Sequence, residues 1–341
     1  LLVPPTKTDL EKRLSEEFTN FTFCVVDSHA LSPELVTQDV TARAGDLVFE
    51  QLVERIEERG RVHLGIGSGS TSWHLARRLG QRFRGYESRT EGQRIVTVHA
   101  LSSGFDPLRP VYSSSSAFNH FQNTASVEFQ FVGLFTSPMV LSEDYERCKL
   151  LPGVKESFTR RLEIDVVCSS LASREAHGLL NQYVGEDERK ILLDHDWIGD
   201  YQFRPFSRTS PIEADTKYRA VTLLDLDEFS SIASDHNKHS VLACGRGKVN
   251  AILPVLQSPQ LRLCNSVVID RQSAQSVLDI HEILGVLSKT SDGLPATELF
   301  KAINARGEKF SQEGQLEQQL KKREGFYWDR LGSNWVIKPL I

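Results

Sequence analysis

No run of apolar residues in this chain is long enough to cross a bilayer, and the opening L-L-V-P-P-T-K-T lacks signal-peptide architecture. Both absences point to a cytoplasmic protein with no membrane partner. The five cysteines, Cys24, Cys148, Cys168, Cys244 and Cys264, never take C-x-x-C spacing, so buried reduced thiols are expected and a disulfide or metal site is not. Basic residues are not in excess. A formal net charge of −5 argues against a protein that coats nucleic acid along its whole surface, while leaving room for a local basic module. The glycines are not followed by G-K-[S/T], which excludes the Walker pattern, and G-x-G-x-x-G with a well-placed acidic partner is missing as well. No internal repeat is present.

What remains is an ordinary globular composition, 40% hydrophobic and 25% charged, over 341 residues, enough for two domains or for one domain with an appendage. The chain is organised around R-V-H-L-G-I-G-S-G-S-T-S-W-H-L-A-R-R-L-G, residues 61 to 80. Val62, Leu64 and Ile66 alternate as in a buried strand, and Gly65, Gly67 and Gly69 free the backbone to turn. Ser70 or Thr71 is a suitable N-cap for a helix whose apolar face is Trp73, Leu75, Ala76 and Leu79 and which Gly80 is expected to end. Such a turn aims backbone N–H groups and the positive end of a helix dipole at one place. Ser68, Ser70, Thr71 and Ser72 add hydroxyl donors, which favours a phosphate over a carboxylate. A tight strand-to-helix connection without a ligand would use the same residues.

A second element of this kind is H-S-V-L-A-C-G-R-G-K-V-N-A-I-L-P-V-L, residues 239 to 256. A strand again runs into glycines, Gly245 and Gly247, and Lys248 sits where a helix begins. A cation there opposes the helix dipole, so an anion would offset it; a solvated surface lysine is the alternative. Around these two elements strands alternate with helices, among them an amphipathic helix over residues 37 to 59 ended by Gly60. Arg271 to Leu278 and His281 to Ser288 read as two separate helices. The alternation predicts an α/β fold, a mostly parallel sheet with helices on both faces, with ligands at the carboxyl ends of the strands.

Both elements, in this order, resemble the sugar-binding domain of the SorC family of bacterial transcriptional regulators. Its fold group takes in DeoR-type sensors, sugar-phosphate isomerases such as ribose-5-phosphate isomerase, and CoA transferases. The likeness rests on residues 37 to 80, on W-I-G-D-Y-Q-F-R-P-F at 197 to 206, on Gly245 to Lys248 and on V-V-I-D-R-Q-S-A at 267 to 274. It implies that Gly67, Ser68, Gly69, Ser70, Thr71, Gly245 and Lys248 hold an effector phosphate, and that Asp200 accepts from sugar hydroxyls, with Arg204 or Arg208 reaching in from the same segment. Asp200 after Gly199 would also suit a plain turn. The G-S-G-S-T loop departs from the family's tryptophan-glycine-arginine-threonine and is closer to that of ribose-5-phosphate isomerase. The acidic and lysine motifs of that enzyme are missing, which leaves an aldose–ketose proton shuttle without a carrier.

The tail reads as helices followed by two aromatic-rich strands flanking Asp329 to Asn334, the layout of a winged helix. Domains are therefore expected at 1–278 and 279–341. Lys321, Lys322, Arg323 and Arg330 are the candidate DNA contacts, although residues 280 to 341 hold nine basic against eight acidic side chains, nearly neutral for a nucleic-acid reader. A module for protein contacts is the competing reading. The expectation is a regulator responding to a sugar or sugar phosphate, dimeric or tetrameric, without a cofactor and not an enzyme, that meets DNA through its tail or through a segment before Leu1. A sugar-phosphate isomerase or hydrolase, and a sensor acting through protein contacts, are the alternatives.

Overall fold

Alternating apolar residues with glycine turns after them build a parallel sheet. The computed structural model describes residues 4–29, 32–89, 92–104, 109–175, 180, 184–212, 216–305, 310–322 and 327–337, in two compact units, Leu1–Ser273 and Ala274–Ile341. The strands of the first unit are β1 (Thr22–Val26), β2 (Arg61–Ile66), β3 (Arg94–Ala100), β4 (Val127–Val132), β5 (Met139–Leu141), β6 (Val166–Ser169), β7 (Leu171–Ser173), β8 (Gly199–Tyr201), β9 (Arg204–Phe206), β10 (Tyr218–Ala220), β11 (His239–Cys244) and β12 (Ser266–Asp270). Seven of them form one sheet in the order β1-β12-β11-β6-β2-β3-β4, parallel at every pairing.

The strand order explains where a ligand can enter. From β2 the chain steps outward through β3 to β4, and from β6 it steps the other way through β11 to β12. Connections therefore diverge at the β2–β6 pair, and a crevice opens past the carboxyl ends of those two strands. One face of the sheet, with Val62, Leu64, Ile66, Val96, Val98, Val166, Cys168 and Val241, shares a core with Val40, Ala44, Val48 and Leu52 of the helix Pro33–Arg59 and with Leu75, Ala76 and Leu79 of the helix Ser70–Arg84. Val167, Leu242, Cys244, Val267 and Ile269 on the other face are also buried. Burial on both faces is why these strands read as nearly unbroken apolar runs. All five cysteines are free and buried.

Two local expectations are corrected. Gly69, not Ser70 or Thr71, is the N-cap, and the helix passes through Gly80 to Arg84. A Cβ at position 80 would strike the carbonyl of His120; the glycine permits close packing instead of ending the helix. Arg271–Leu287 is likewise one continuous helix and not two. The sequence also predicts a helix from Ser173 to Tyr183, most of which falls outside the described residues, and Ser173 itself ends β7.

In the second unit β13 (Leu294–Pro295), β14 (Trp328–Leu331) and β15 (Asn334–Ile337) make an antiparallel sheet in the order β13-β15-β14. Helices Ala296–Asn304 and Glu313–Lys322 lie between β13 and β14 in the chain. Trp328 and Trp335 are buried there, and the Trp328 indole N–H donates to the Leu320 carbonyl at 2.7 Å.

Candidate functional site

The first wall of the crevice is the loop after β2. Gly67 N–H donates to the Cys168 carbonyl at 3.1 Å, which extends the β2–β6 pairing by one residue. A side chain cannot fit there, because a Cβ at 67 would lie 2.5 Å from Ser169 Oγ and collide with the Gln202 amide. Gly69 takes φ 97°, in the left-handed region, and its N–H donates to the Tyr112 carbonyl at 2.8 Å. The first-turn N–H groups of the Ser70–Arg84 helix then have no partner within the helix. No acidic side chain occupies that turn. Ser70 is exposed, whereas Thr71 and Ser72 are buried. Among the described residues, the buried hydroxyls of Ser68 and Ser72 find no hydrogen-bond partner.

The second wall is the turn after β11. Gly247 at φ 83° swings the chain so that Lys248 becomes the N-cap of the helix Val249–Gln257. Its ammonium points back across the sheet. Nζ lies 3.4 Å from Thr71 Oγ1, a residue 177 positions away, and donates a short hydrogen bond to Ser170 Oγ at the end of β6. Burial lowers the lysine's pKa, against the opposing influence of Cys244 and Asp200. Gly245 is fixed by packing, since a Cβ would sit 2.7 Å from Thr37 Oγ1.

The third wall is the antiparallel sheet β7-β8-β9, which leaves the sheet directly after β6. Asp200 pairs with Ala172 and Pro205 at its centre and is 3% exposed. Oδ1 accepts the Phe203 N–H at 3.1 Å, and Oδ2 is buried with no partner among the described residues. Burial raises its pKa to about 7, although the Phe203 N–H and the Lys248 charge pull it down. A buried carboxylate oxygen left unpaired is costly, and ligand hydroxyls could satisfy it.

Sequence reasoning missed the residue that joins two of these walls. Gln202 and Phe203 form the two-residue turn between β8 and β9 with φ 52° and 65°. Hairpin turns of this hand usually carry Asn-Gly or Asp-Gly, so the pair Gln-Phe gives no turn signal. The Gln202 carboxamide accepts the Ser68 N–H at 3.1 Å and donates to Ser169 Oγ at 2.5 Å. It thereby fixes the loop that carries the unpaired hydroxyls. Ser169 and Ser170 were missed too, but they follow the apolar run V-V-C, where hydroxyls at the carboxyl end of a central strand are a readable signal.

The remaining candidates lie elsewhere. Arg204 is buried away from solvent, donating to Thr222 Oγ1 and, at 2.6 Å, to the Tyr145 hydroxyl. Arg208 pairs with Asp196 at 2.6 Å. Both arginines serve as struts for the overlying segment, contrary to the expectation that one of them reaches into the site. In the second unit Lys321 pairs with Glu317 at 2.8 Å, Lys322 is exposed, and the Arg330 guanidinium stands 5.7 Å from the Trp335 ring centre. Arg323 lies outside the described residues.

No protein-family model and no curated protein matches the sequence. Solved structures do match. A DeoR family transcriptional regulator from Listeria monocytogenes is similar with a TM-score of 0.61 at 17% identity, over 79% of this chain and 98% of that one. The full-length sorbitol operon regulator SorC from Klebsiella pneumoniae matches at TM-score 0.62 and 17% identity, over 80% of each chain. A transcriptional regulator from Streptococcus pneumoniae gives 0.59 and 14%, over 80% of this chain and 97% of that one. The α/β fold is thus the fold found in SorC and DeoR regulators. No helix among the described residues is long and apolar enough to span a membrane.

Proposed function

We propose that the first unit is an effector-binding domain for a sugar phosphate and that the chain is a transcriptional regulator of SorC-like type. The observation that carries the reading is the meeting of Lys248 Nζ with Thr71 Oγ1 at 3.4 Å beside the unpaired Oδ2 of Asp200. A phosphate placed past the carboxyl ends of β2, β6 and β11 would take helix N–H groups, serine and threonine hydroxyls and one ammonium. The polyol would donate hydroxyls to Asp200. The fold shared with a sorbitol operon regulator supports this assignment.

The second unit supports a DNA-binding role of winged-helix type. What supports this reading is its chain order of helix, strand, two helices and a β-hairpin, with the first strand paired to the last, an order that winged helices also use. A dimer or tetramer would let the effector act by favouring one of two assemblies. An enzyme is the second reading: Asp200, with its pKa raised to about 7, and Lys248, with its pKa lowered, are the groups at the site that could carry a proton.

A thermal-shift panel of sugars and phosphorylated sugars tests the proposal, because a ligand that binds only the folded state raises the melting temperature. A phosphorylated sugar should raise it and the unphosphorylated sugar should do so far less. Equal shifts from both would remove phosphate from the site. Turnover of the binding sugar phosphate would decide for the enzyme reading.

A further inference from the structure

A cluster on the opposite face of the sheet takes no part in the effector site. His63 on β2 alternates with Val62 and Leu64, which face the helix-covered core, so its side chain projects from the other face. His99 on β3 lies opposite Gly65, and Gly65 shares that face without adding a side chain to separate the imidazoles. His63 Nδ1 is 2.9 Å from His99 Nε2 and 3.3 Å from Glu163 Oε2, the carboxylate of the turn that precedes β6. These three donor atoms all lie within 4.8 Å of one another, a unique set among the described residues.

We propose that His63 Nδ1, His99 Nε2 and Glu163 Oε2 bind one divalent ion of the zinc type, with water completing the coordination. Two imidazoles and one carboxylate suit a borderline-soft ion, whereas calcium and magnesium require oxygen ligands throughout. On a tetrahedral ion with bonds of about 2.0–2.1 Å, neighbouring ligand atoms stand roughly 3.3 Å apart. The 3.3 Å pair fits as it stands, and the 2.9 Å pair needs to open by a few tenths of an ångström. Ligation through His99 Nε2 places that ring's proton on Nδ1, which is buried and has no hydrogen-bond partner among the described residues.

Hydrogen bonding alone serves the cluster poorly. His63 Nδ1 faces both His99 Nε2 and Glu163 Oε2, and one proton can bridge only one of those gaps. If His99 donates instead, the bare Nδ1 of His63 meets a carboxylate. A cation accepts all three lone pairs together. Its competitor is Arg160, whose guanidinium already touches Glu163 Oε2 at 3.0 and 3.1 Å. Metal and guanidinium would exchange at that oxygen. A bound ion would tie β2, β3 and the approach to β6 together just below the Gly67 loop.

The Arg160 contact makes the test two-sided. Full-length protein stripped with EDTA is titrated with zinc against a chromophoric chelator. One ion per chain is expected, with Glu163→Gln weakening binding at least ten-fold and Arg160→Gln, which frees the carboxylate, strengthening it several-fold. Both positions are at the surface, so the fold is retained, as circular dichroism of each variant will verify. Cobalt should give the visible absorption of a tetrahedral nitrogen and oxygen site in the wild type and lose it in Glu163→Gln. Absence of stoichiometric zinc, or equal affinity in wild type and Glu163→Gln, would overturn the site.

Discussion

Replacing Lys248 with methionine separates a ligand-binding lysine from a structural one. The ammonium is held in a desolvated place where burial lowers its pKa, so its charged form is disfavoured by folding. Below its folded pKa the group therefore opposes stability, and the opposition fades as pH rises through that value. Methionine fills much the same volume without that charge. The unliganded variant should melt at or slightly above the wild-type temperature at pH 7, despite losing the bond to Ser170. Binding should respond in the opposite sense. A charged hydrogen bond to phosphate contributes about 1.5–3 kcal/mol, which predicts affinity lower by about 10- to 100-fold. Isothermal titration with the sugar phosphate that most raises the wild-type melting temperature measures the second quantity, and scanning calorimetry the first. Unchanged affinity would remove Lys248 from the site. A fall of many degrees in melting temperature with affinity preserved would make the lysine a structural strut.

Asp200 predicts a pH signature. Its folded pKa of about 7 lies above the ordinary 3.8, so the folded state holds the proton more tightly and stability declines as pH rises from about 4 to about 7. Asp200→Asn should flatten the melting-temperature profile over that window and be the more stable protein at pH 8; coincident profiles would show that Asp200 does not titrate this way. Gly67→Ala should cost about 1–3 kcal/mol by overpacking against Gln202 and Ser169, visible in urea unfolding, and should abolish effector binding. An alanine variant that binds normally would show that the loop relaxes. In the second unit, Lys321→Gln together with Lys322→Gln should reduce the slope of log affinity for duplex DNA against log salt by about 1.8. An unaltered slope would exclude both lysines from phosphate contact.

Some of this was legible in the residues and some was not, for physical reasons. The parallel sheet showed in the alternation of Val62, Leu64 and Ile66 and in the apolar run V-L-A-C, which is what a strand buried on both faces requires. The loops after β2 and β11 showed because glycine is the residue that permits such turns. Glycine also misled. Gly80 reads as a helix stop, but it leaves space for the His120 carbonyl, a demand set by packing and invisible in local pattern. Asp200 carried a signal only through resemblance. Gln202 carried none, because its left-handed conformation is imposed by the β7-β8-β9 pairing around it and not favoured by its own chemistry. Arg204 and Arg208 became candidates only through the resemblance; their partners Tyr145, Thr222 and Asp196 are distant enough in sequence or plain enough in type to give no warning.

The unfavourable features of the site converge on a single hairpin. Two non-glycine residues in the left-handed region cost on the order of 1–3 kcal/mol each, and the unpaired Oδ2 of Asp200 adds a desolvation cost. Opposing these are the Asp200–Phe203 bond and the Gln202 bridge to Ser68 and Ser169. A ligand whose hydroxyls donate to Oδ2 would relieve the carboxylate, and one whose phosphate lies against Ser68 would strengthen the loop that Gln202 holds. Both contacts act on the β8–β9 turn from opposite ends. Since a ligand shifts an equilibrium only by its differential affinity for two states, this turn is where such a difference can arise. The strands behind it are paired on both edges and buried on both faces, and have little freedom to change. Effector binding should therefore show as hydrogen-exchange protection concentrated at Asp200 to Arg204 and Gly67 to Thr71, and uniform protection across β2, β6 and β11 instead would refute the assignment of the hairpin as the responsive element.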